Sequence, residues 1–235
     1  MPRIAIVEDR KIDSDSMKEL ILENVPGASV EQYFDRVSAE ANVSDGQFDL
    51  VIVDIDLGGK SQDKYGGVSV LARLNGKPVT TLVVSGTPEE NLRDVVLSLR
   101  AWDFLGKPFS GIAFVNLVKH ALDWKPGSNN AVNKLTFEGR LPDGLALDQE
   151  NCPGFKWKGK SVALTITHLR LVVALVRIPG KVVETNDLTG LLDTGAKKAV
   201  AVHINEIKKR FRDVDPNFDE IANDPGRGYY WKPEA

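Results

Sequence analysis

The sequence predicts an α/β domain with a five-stranded parallel sheet, followed by a smaller α+β domain. In the first half, short apolar runs alternate with patterns typical of helices. The strands are predicted at Ile4–Val7, Ala28–Tyr33 (an edge strand), Leu50–Val53, Val79–Val84 and Phe104–Leu105. The helices are predicted at Ile12–Asn24, with Ile12, Met17, Leu20 and Ile21 facing inward, at Pro88–Ala101 and at Phe109–Trp124. Alternation over about 120 residues indicates a sheet covered on both faces, hence a doubly wound fold.

The chain changes character after residue 124. The segment Lys125–Asn133 is poor in apolar residues and rich in turn formers, which is typical of a linker. Residues 1–124 carry a net charge of −6, whereas residues 125–235 carry +3. Beyond the linker we expect short strands, a helix at Thr167–Leu175, a short helix at Asn186–Leu192, a basic helix at Ala196–Val214 and a terminal hairpin. We therefore divide the chain into a domain at 1–124, a linker at 125–134 and a domain at 135–235.

Composition excludes several classes of protein. With 42% hydrophobic and 27% charged residues, the chain is expected to fold into globular domains. No apolar stretch approaches the roughly 20 residues that span a bilayer, and the N-terminus has acids where a signal peptide is apolar. The single cysteine, Cys152, excludes an internal disulfide framework and favours a reducing, cytoplasmic setting. Three scattered histidines and one cysteine do not form the ligand pattern of a structural zinc site.

Polar residues follow four of the predicted strands of the first domain. Glu8 and Asp9 follow the first strand, Asp54 follows the third, Ser85 the fourth and Lys107 the fifth. Ligands bind open parallel sheets at the carboxyl ends of the strands, where these residues would meet. Three clustered carboxylates repel one another unless a hard cation such as Mg²⁺ neutralises them. A hydroxyl and an ammonium group opposite that ion are suited to the oxygens of a phosphoryl group.

With these residues, the first 124 positions resemble a known family. The motifs "IVED", "DLVIVDIDL", "LVVSG" and "DFLGKPF" resemble the CheY-like receiver domain of bacterial two-component response regulators. The resemblance implies the strand order 2-1-3-4-5 and a phosphoryl group donated by a sensor histidine kinase. It also implies roles for individual residues: Asp54 as phosphoacceptor, Glu8, Asp9, Asp54 and the backbone carbonyl of Asp56 as Mg²⁺ ligands, and Ser85, Lys107 and Phe104 as the switch and phosphoryl-binding residues.

An enzyme alternative uses the same chemistry. A strand that ends in Asp-x-Asp is also typical of haloacid-dehalogenase-type phosphatases, which form an aspartyl phosphate. Those enzymes carry Asp-x-Asp on their first strand and a further acidic pair after the lysine. Here the acidic pair precedes Lys107, at Glu8 and Asp9, so the order along the chain favours the receiver.

The first domain also departs from the family. Arg10 stands where an acid is common, and the loop after Asp54 is longer than usual and lacks its proline. Ala113 and Leu117 occupy positions that usually carry the Glu and Arg of a charged dimer interface, while Arg93 is kept. The sequence therefore leaves open a homodimer with a non-standard, more apolar interface, or none.

The second half resembles the winged-helix DNA-binding domain of OmpR/PhoB-type regulators. The resemblance rests on "FKWKGKSVALTITHLRLVVALVRIPGKVVETNDL", "KKAVAVHINEIKKRF" and "GRGYYW". On the basic helix, the residues predicted to face inward are Val200, Val202, Ile204, Ile207 and Phe211. The residues predicted to face solvent or DNA are Lys197, Lys198, Asn205, Lys208, Lys209 and Arg212, joined by Arg227 in the wing. Such a helix enters the major groove while the hairpin reaches phosphates or the minor groove.

The whole sequence thus predicts a DNA-binding transcriptional response regulator that is controlled by phosphorylation. It is expected to act on no substrate beyond its own phosphoryl group, which makes it a regulator and not an enzyme. Its expected partners are a sensor histidine kinase, promoter DNA and RNA polymerase, with no membrane. The alternative is a receiver whose winged helix binds protein or RNA, or acts independently of phosphorylation, because Asn205 and Glu206 replace arginines common in the family.

Overall fold

The structure is a computed structural model that describes residues 1–43, 47–58, 65–86, 96, 99, 101–124, 141–148, 154–192 and 197–233, with backbone only at 197 and 198. The chain divides into two compact units, Met1–Gly127 and Ser128–Ala235. The predicted linker at 125–134 and most of the predicted helix Pro88–Ala101 lie outside the described residues. No helix in the described parts of the chain is both long and apolar enough to cross a membrane.

The first unit is a parallel sheet with helices between its strands. The strands are β1 (Arg3–Val7), β2 (Ser29–Tyr33), β3 (Leu50–Val53), β4 (Thr80–Ser85) and β5 (Asp103–Gly106). The described helices are α1 (Lys11–Asn24), α2 (Arg36–Asn42), α3 (Gly66–Leu74) and α4 (Gly111–Asp123). All neighbouring strands are parallel and their order is β2-β1-β3-β4-β5, which confirms the predicted fold class and places β2 at an edge.

The strand order determines which strand ends are neighbours. β1 lies between β2 and β3, with Val7 opposite Val53, so the residues that follow these two strands emerge side by side. β3 is buried along its whole length because helices cover both faces of the sheet. The carboxyl edge of the sheet therefore carries the polar residues, while apolar side chains occupy its middle.

One predicted inward residue of α1 is exposed. Ile12 keeps 74% of its surface, whereas Ser14, Met17 and Ile21 are buried. At about 100° per residue, Ile12 lies roughly 140° around the helix from Met17, so it faces away from the sheet. The helix turns Asp13 partly inward instead.

The described part of the second unit contains two small antiparallel sheets and three helices. Its first sheet contains β6 (Leu145–Leu147), β7 (Phe155–Trp157) and β8 (Lys160–Val162). There follow α5 (Ile166–Val176), β9 (Val183–Glu184), α6 (Thr185–Gly190), α7 (Lys197–Val214), β10 (Ile221–Asp224) and β11 (Gly228–Trp231). β10 and β11 form the predicted hairpin, and β9 pairs with β11. Three helices followed by a hairpin confirm the winged-helix prediction.

Aromatic side chains hold α7 against both sheets of the second unit. Trp157 on β7 makes edge contacts with Phe211 on α7, with Phe218 and with Trp231 on β11. The indole of Trp157 also donates a hydrogen bond to Asp215. Four of the five predicted inward residues of α7 are fully buried, but Val202 is 53% exposed. Two residues after Val200 on a helix means about 200° of rotation, so Val202 faces away from the core.

Candidate functional site

A lysine bridges two carboxylates at the carboxyl edge of the parallel sheet. The Lys107 ammonium lies 2.5 Å from Oε2 of Glu8 and 2.6 Å from Oδ2 of Asp54. Glu8 is fully buried, whereas the Asp54 side chain is 7% exposed. The backbone N–H of Lys107 donates to the carbonyl of Ser85, which ties the loop after β5 to the end of β4. Residues from four strand ends therefore converge, as their positions in the sequence predict.

The acids at this edge hold more negative charge than the lysine neutralises. Burial raises the pKa of Glu8 to about 7, helped by the charge of Asp54 and opposed by the hydrogen bond from Lys107. Burial, and then the charges of Asp54 and Asp56, raise the pKa of Asp9. Burial alone would lower the pKa of Lys107, but its hydrogen bonds to Asp54 and Glu8 outweigh burial and raise it. A divalent cation at this edge would relieve the repulsion among the carboxylates.

Two glycines that were not predicted as site residues allow the backbone to approach Asp54 and Asp9 closely. A side chain at Gly67, the second residue of α3, would place its Cβ 2.0 Å from the backbone oxygen of Asp54. At Gly58, whose φ is +53°, a Cβ would lie 1.9 Å from Oδ2 of Asp9. The paired glycines in "LGG" and "YGG" are the signal that marks such close approaches.

Backbone groups orient the Asp54 carboxylate. Its Oδ1 accepts a hydrogen bond of 3.1 Å from the backbone N–H of Asp56, while Lys107 holds its Oδ2. The Asp56 side chain turns back to accept from the N–H of Gly58, at 3.2 Å. The two aspartates of "DID" are therefore not equivalent, because Asp56 interacts with its own loop while Asp54 contacts the lysine.

A further acid, Asp13, lies near this edge. Oδ2 of Asp13, in the first turn of α1, lies 3.7 Å from the Lys107 ammonium and 3.1 Å from the Arg10 guanidinium. Asp13 was not predicted as a site residue, since the expected face of α1 carried Ile12 instead. Arg10, which replaces a common acid of the family, thus pairs with an acid one turn later.

The remaining predicted residues of the first unit occupy varied surroundings. Ser85 is 1% exposed at the end of β4, and Phe104 on β5 is half-buried against the core. Ala113 and Leu117 on α4 are buried, so neither offers an exposed apolar surface to a second copy of the chain. Arg93 lies outside the described residues.

The outer face of α7 carries two of the residues predicted to meet DNA. Asn205 and Lys209 are exposed together with Val202, opposite the buried side of the helix. The side chains of Lys197 and Lys198 lie outside the described residues. The Glu206 side chain is partly exposed but points towards α5, where its Oε2 lies 3.1 Å from Nε2 of His168.

Two further basic residues of α7 lie beside the base of the hairpin. Arg212 donates to the carbonyl of Phe218 at 3.2 Å, and one of its terminal nitrogens lies 3.9 Å from Asp219. Lys208 is half-buried, and burial lowers its pKa, with the charges of Arg212 and Lys232 adding to the effect. Lys208 and Arg212 are therefore close to each other, and they lie beside the outer face of α7 and not on it.

The tip of the hairpin stands beside the first half of α7. Arg227 is exposed and pairs with Asp224 at 3.0 Å. A groove of about 510 Å³ separates the tip from α6 and α7, and its lining includes Arg227, Asn186, Ala201 and the acids Glu184 and Asp224. The structure thus brings Arg227 near the start of α7, whereas Lys208 and Arg212 lie towards the other end.

Comparisons with known proteins agree with this architecture. Residues 4–119 match the response regulator receiver domain family. Regulatory protein VanRc of Enterococcus gallinarum is 28% identical over 188 residues, covering 79% of this chain and 78% of that protein. Transcriptional regulatory protein DltR of Streptococcus agalactiae is 26% identical over 233 residues and covers 97% of both chains. A solved structure of a RitR mutant has a TM-score of 0.59 over 100% of both chains at 18% identity, a likeness of fold alone. Residues 4–119 therefore form a receiver domain of the response regulator family, which precedes a winged-helix unit, as the resemblance to OmpR/PhoB-type regulators predicts.

Proposed function

We propose that this regulator controls transcription by accepting a phosphoryl group on Asp54 from a sensor histidine kinase and binding promoter DNA through α7 and the hairpin. The observation that carries the proposal is the convergence of Lys107, Glu8 and Asp54 at one sheet edge. In the transfer, an Asp54 carboxylate oxygen forms a bond to phosphorus as the bond from phosphorus to the kinase histidine breaks. Lys107 and the Asp56 N–H orient the carboxylate for that attack.

The chain's acids suit Mg²⁺. Glu8, Asp9, Asp54 and the backbone carbonyl of Asp56 offer hard oxygen ligands. Burial is the main cause of the raised pKa values of Glu8 and Asp9, but the charge of Asp54 adds to both, and a cation would relieve that repulsion. When bound there, Mg²⁺ supplies neutralisation of the charge on the phosphoryl oxygens. Lys107 and Ser85, at the ends of β5 and β4, are proposed to hold the phosphoryl group once it is on Asp54, and Phe104 to reorient in response.

Asp54→Asn tests the acceptor, and Asp56→Asn is its matched control. The Asp56 variant keeps the backbone carbonyl and a side-chain oxygen that can accept from Gly58, and it loses only the carboxylate charge. Incubated with acetyl phosphate and Mg²⁺, the unmodified chain and Asp56→Asn are expected to gain one phosphoryl group by intact mass, and Asp54→Asn none. Labelling of Asp54→Asn at equal stoichiometry would overturn the assignment.

DNA is the proposed target of the second unit, with Lys209 and Asn205 on the outer face of α7 and Arg227 on the hairpin tip as its nearest contacts. Genomic DNA fragments captured by the purified chain, with and without a beryllofluoride phosphoryl mimic, test this. Enrichment of a common sequence that increases with the mimic is expected. Capture of RNA or protein without DNA would favour the interaction alternative, and equal capture with and without the mimic would favour a role independent of phosphorylation.

Further parts of the proposal follow from this role. The domains are proposed to span 1–124 and 135–235 around a linker at 125–134, in the cytoplasm. The chain is proposed to act on no substrate but its own phosphoryl group, with RNA polymerase as a partner of the DNA-bound form. A homodimer through the receiver would need an interface without Ala113 and Leu117, since both are buried.

A further inference from the structure

Two of the three histidines of the chain meet a glutamate between α5 and α7. His168 lies in the first turn of α5, while His203 and Glu206 are three residues apart on one face of α7. Nε2 of His168 is 3.1 Å from Oε2 of Glu206 and 3.3 Å from Nδ1 of His203. The remaining pair, Nδ1 of His203 and Oε2 of Glu206, is separated by 3.9 Å. We call these residues the His–His–Glu cluster.

The three atoms have the spacing of ligands around a small metal ion. In the plane of the three atoms, the point equidistant from them lies about 2.0 Å from each. Zinc binds imidazole nitrogen at about 2.0–2.1 Å and carboxylate oxygen at about 2.0–2.2 Å. At these bond lengths, neighbouring ligand atoms of a tetrahedral site are about 3.3 Å apart. Two of the three separations found here are close to that value, and the third, between His203 and Glu206, is longer.

The cluster is buried on one side and reachable on the other. The His168 side chain is fully buried, whereas those of His203 and Glu206 are 16% and 23% exposed. An ion could therefore enter from the α7 side, and water could complete its coordination. Three protein ligands with an open position are typical of His₂Glu zinc sites.

The imidazole of His168 also binds the start of its own helix. Its Nδ1 accepts a long hydrogen bond of 3.5 Å from the backbone N–H of Thr165, so Nε2 carries the proton in that tautomer. An ion bound at Nε2 takes the place of this proton, which moves to Nδ1. The bond that is lost lies at the limit of hydrogen-bond distance and is therefore weak.

We propose that the His–His–Glu cluster is a binding site for a divalent transition-metal ion of the zinc class, which fastens α5 to α7. Two imidazoles and one carboxylate favour such ions over Mg²⁺, which prefers oxygen ligands. The ion would link the first helix of the winged-helix unit to the helix proposed to read DNA, and would neutralise Glu206 on it. The site is separate from the acids at the sheet edge and does not depend on the function proposed for them.

Cobalt(II) titration tests the site, because tetrahedral Co²⁺ absorbs visible light. The full chain, stripped of metal and kept in excess Mg²⁺ to occupy the acids of the first unit, is titrated with Co²⁺ and then with Zn²⁺. We expect one equivalent of Co²⁺ with tetrahedral absorption bands, displaced by one equivalent of Zn²⁺. His203→Ala should weaken binding by more than about 100-fold, beyond the roughly 10–100-fold loss caused by removing an outer-shell partner.

His120→Ala is the matched control, since it removes the remaining histidine, which is exposed on α4 in the first unit. It should bind Co²⁺ as the unmodified chain does. Because loss of His168 risks unfolding α5, Glu206→Gln is the second variant, with circular dichroism to confirm folding. No tetrahedral absorption, or binding unchanged in His203→Ala, would overturn the proposal and leave a cluster held by hydrogen bonds only. Acetyl-phosphate labelling of Asp54 would be unaffected by either result, so the two proposals fail separately.

Discussion

Gly67→Ala is expected to destabilise the first unit because the start of α3 touches the backbone of Asp54. The added Cβ would lie 2.0 Å from the Asp54 carbonyl oxygen and 2.7 Å from the Cα of Ile55. Both neighbours are backbone atoms of the segment that follows β3, so relief requires α3 or that segment to shift by about 1 Å or more. Overpacking of this kind costs about 1–3 kcal/mol, of which the better helix propensity of alanine recovers about 0.5–1 kcal/mol.

Urea unfolding followed by circular dichroism measures the loss, and Gly190→Ala is the matched control. A Cβ at Gly190, at the end of α6, meets nothing within 4 Å, so this variant should lose no stability. Gly67→Ala should unfold with a free energy lower by about 1–2 kcal/mol and label more slowly with acetyl phosphate. Equal stability and equal labelling in the two variants would refute a rigid contact between α3 and Asp54.

Three further outcomes follow from the charges. Because the pKa of Glu8 is raised to about 7, Mg²⁺ affinity measured by calorimetry should fall as pH drops through 7. Without Mg²⁺, the fold should lose stability as pH rises from 4.5 to 7, because the folded state holds the Glu8 proton more tightly than the unfolded chain does. Glu8→Gln should remove both dependences. Hydrogen bonds from Lys158 and Trp157 lower the pKa of Asp215 to about 2, so Asp215→Asn should flatten the loss of thermal stability between pH 4 and 2. Lys209→Ala should reduce the salt slope of DNA binding by about 1, and an unchanged slope would exclude a phosphate contact there.

Most elements of both units were predictable from local patterns, although the helices α2 and α3 were not predicted. The apolar runs placed all five strands of the parallel sheet to within two residues at each end, and the polar residues after them located the edge where Glu8, Asp54 and Lys107 meet. The prediction of which helix residues face the core was less reliable. Ile12 and Val202 were expected to face inward and are exposed, because rotation of about 100° per residue carries both to the far side. For the same reason, Asp13 was not predicted as a neighbour of Lys107.

The sequence by itself determined the order of the five parallel strands, the family and the chemistry at the strand ends, because these depend on short-range periodicity and on residue types at fixed offsets. The tertiary structure alone decided which distant residues touch. Gly67 approaches Asp54 across the loop that follows β3, and His168 meets His203 from 35 residues away. Three histidines scattered along the chain gave no sign of a metal site, since only the packing of α5 on α7 brings two of them to Glu206. Contacts between residues that are distant in sequence follow from tertiary packing, which no local pattern encodes.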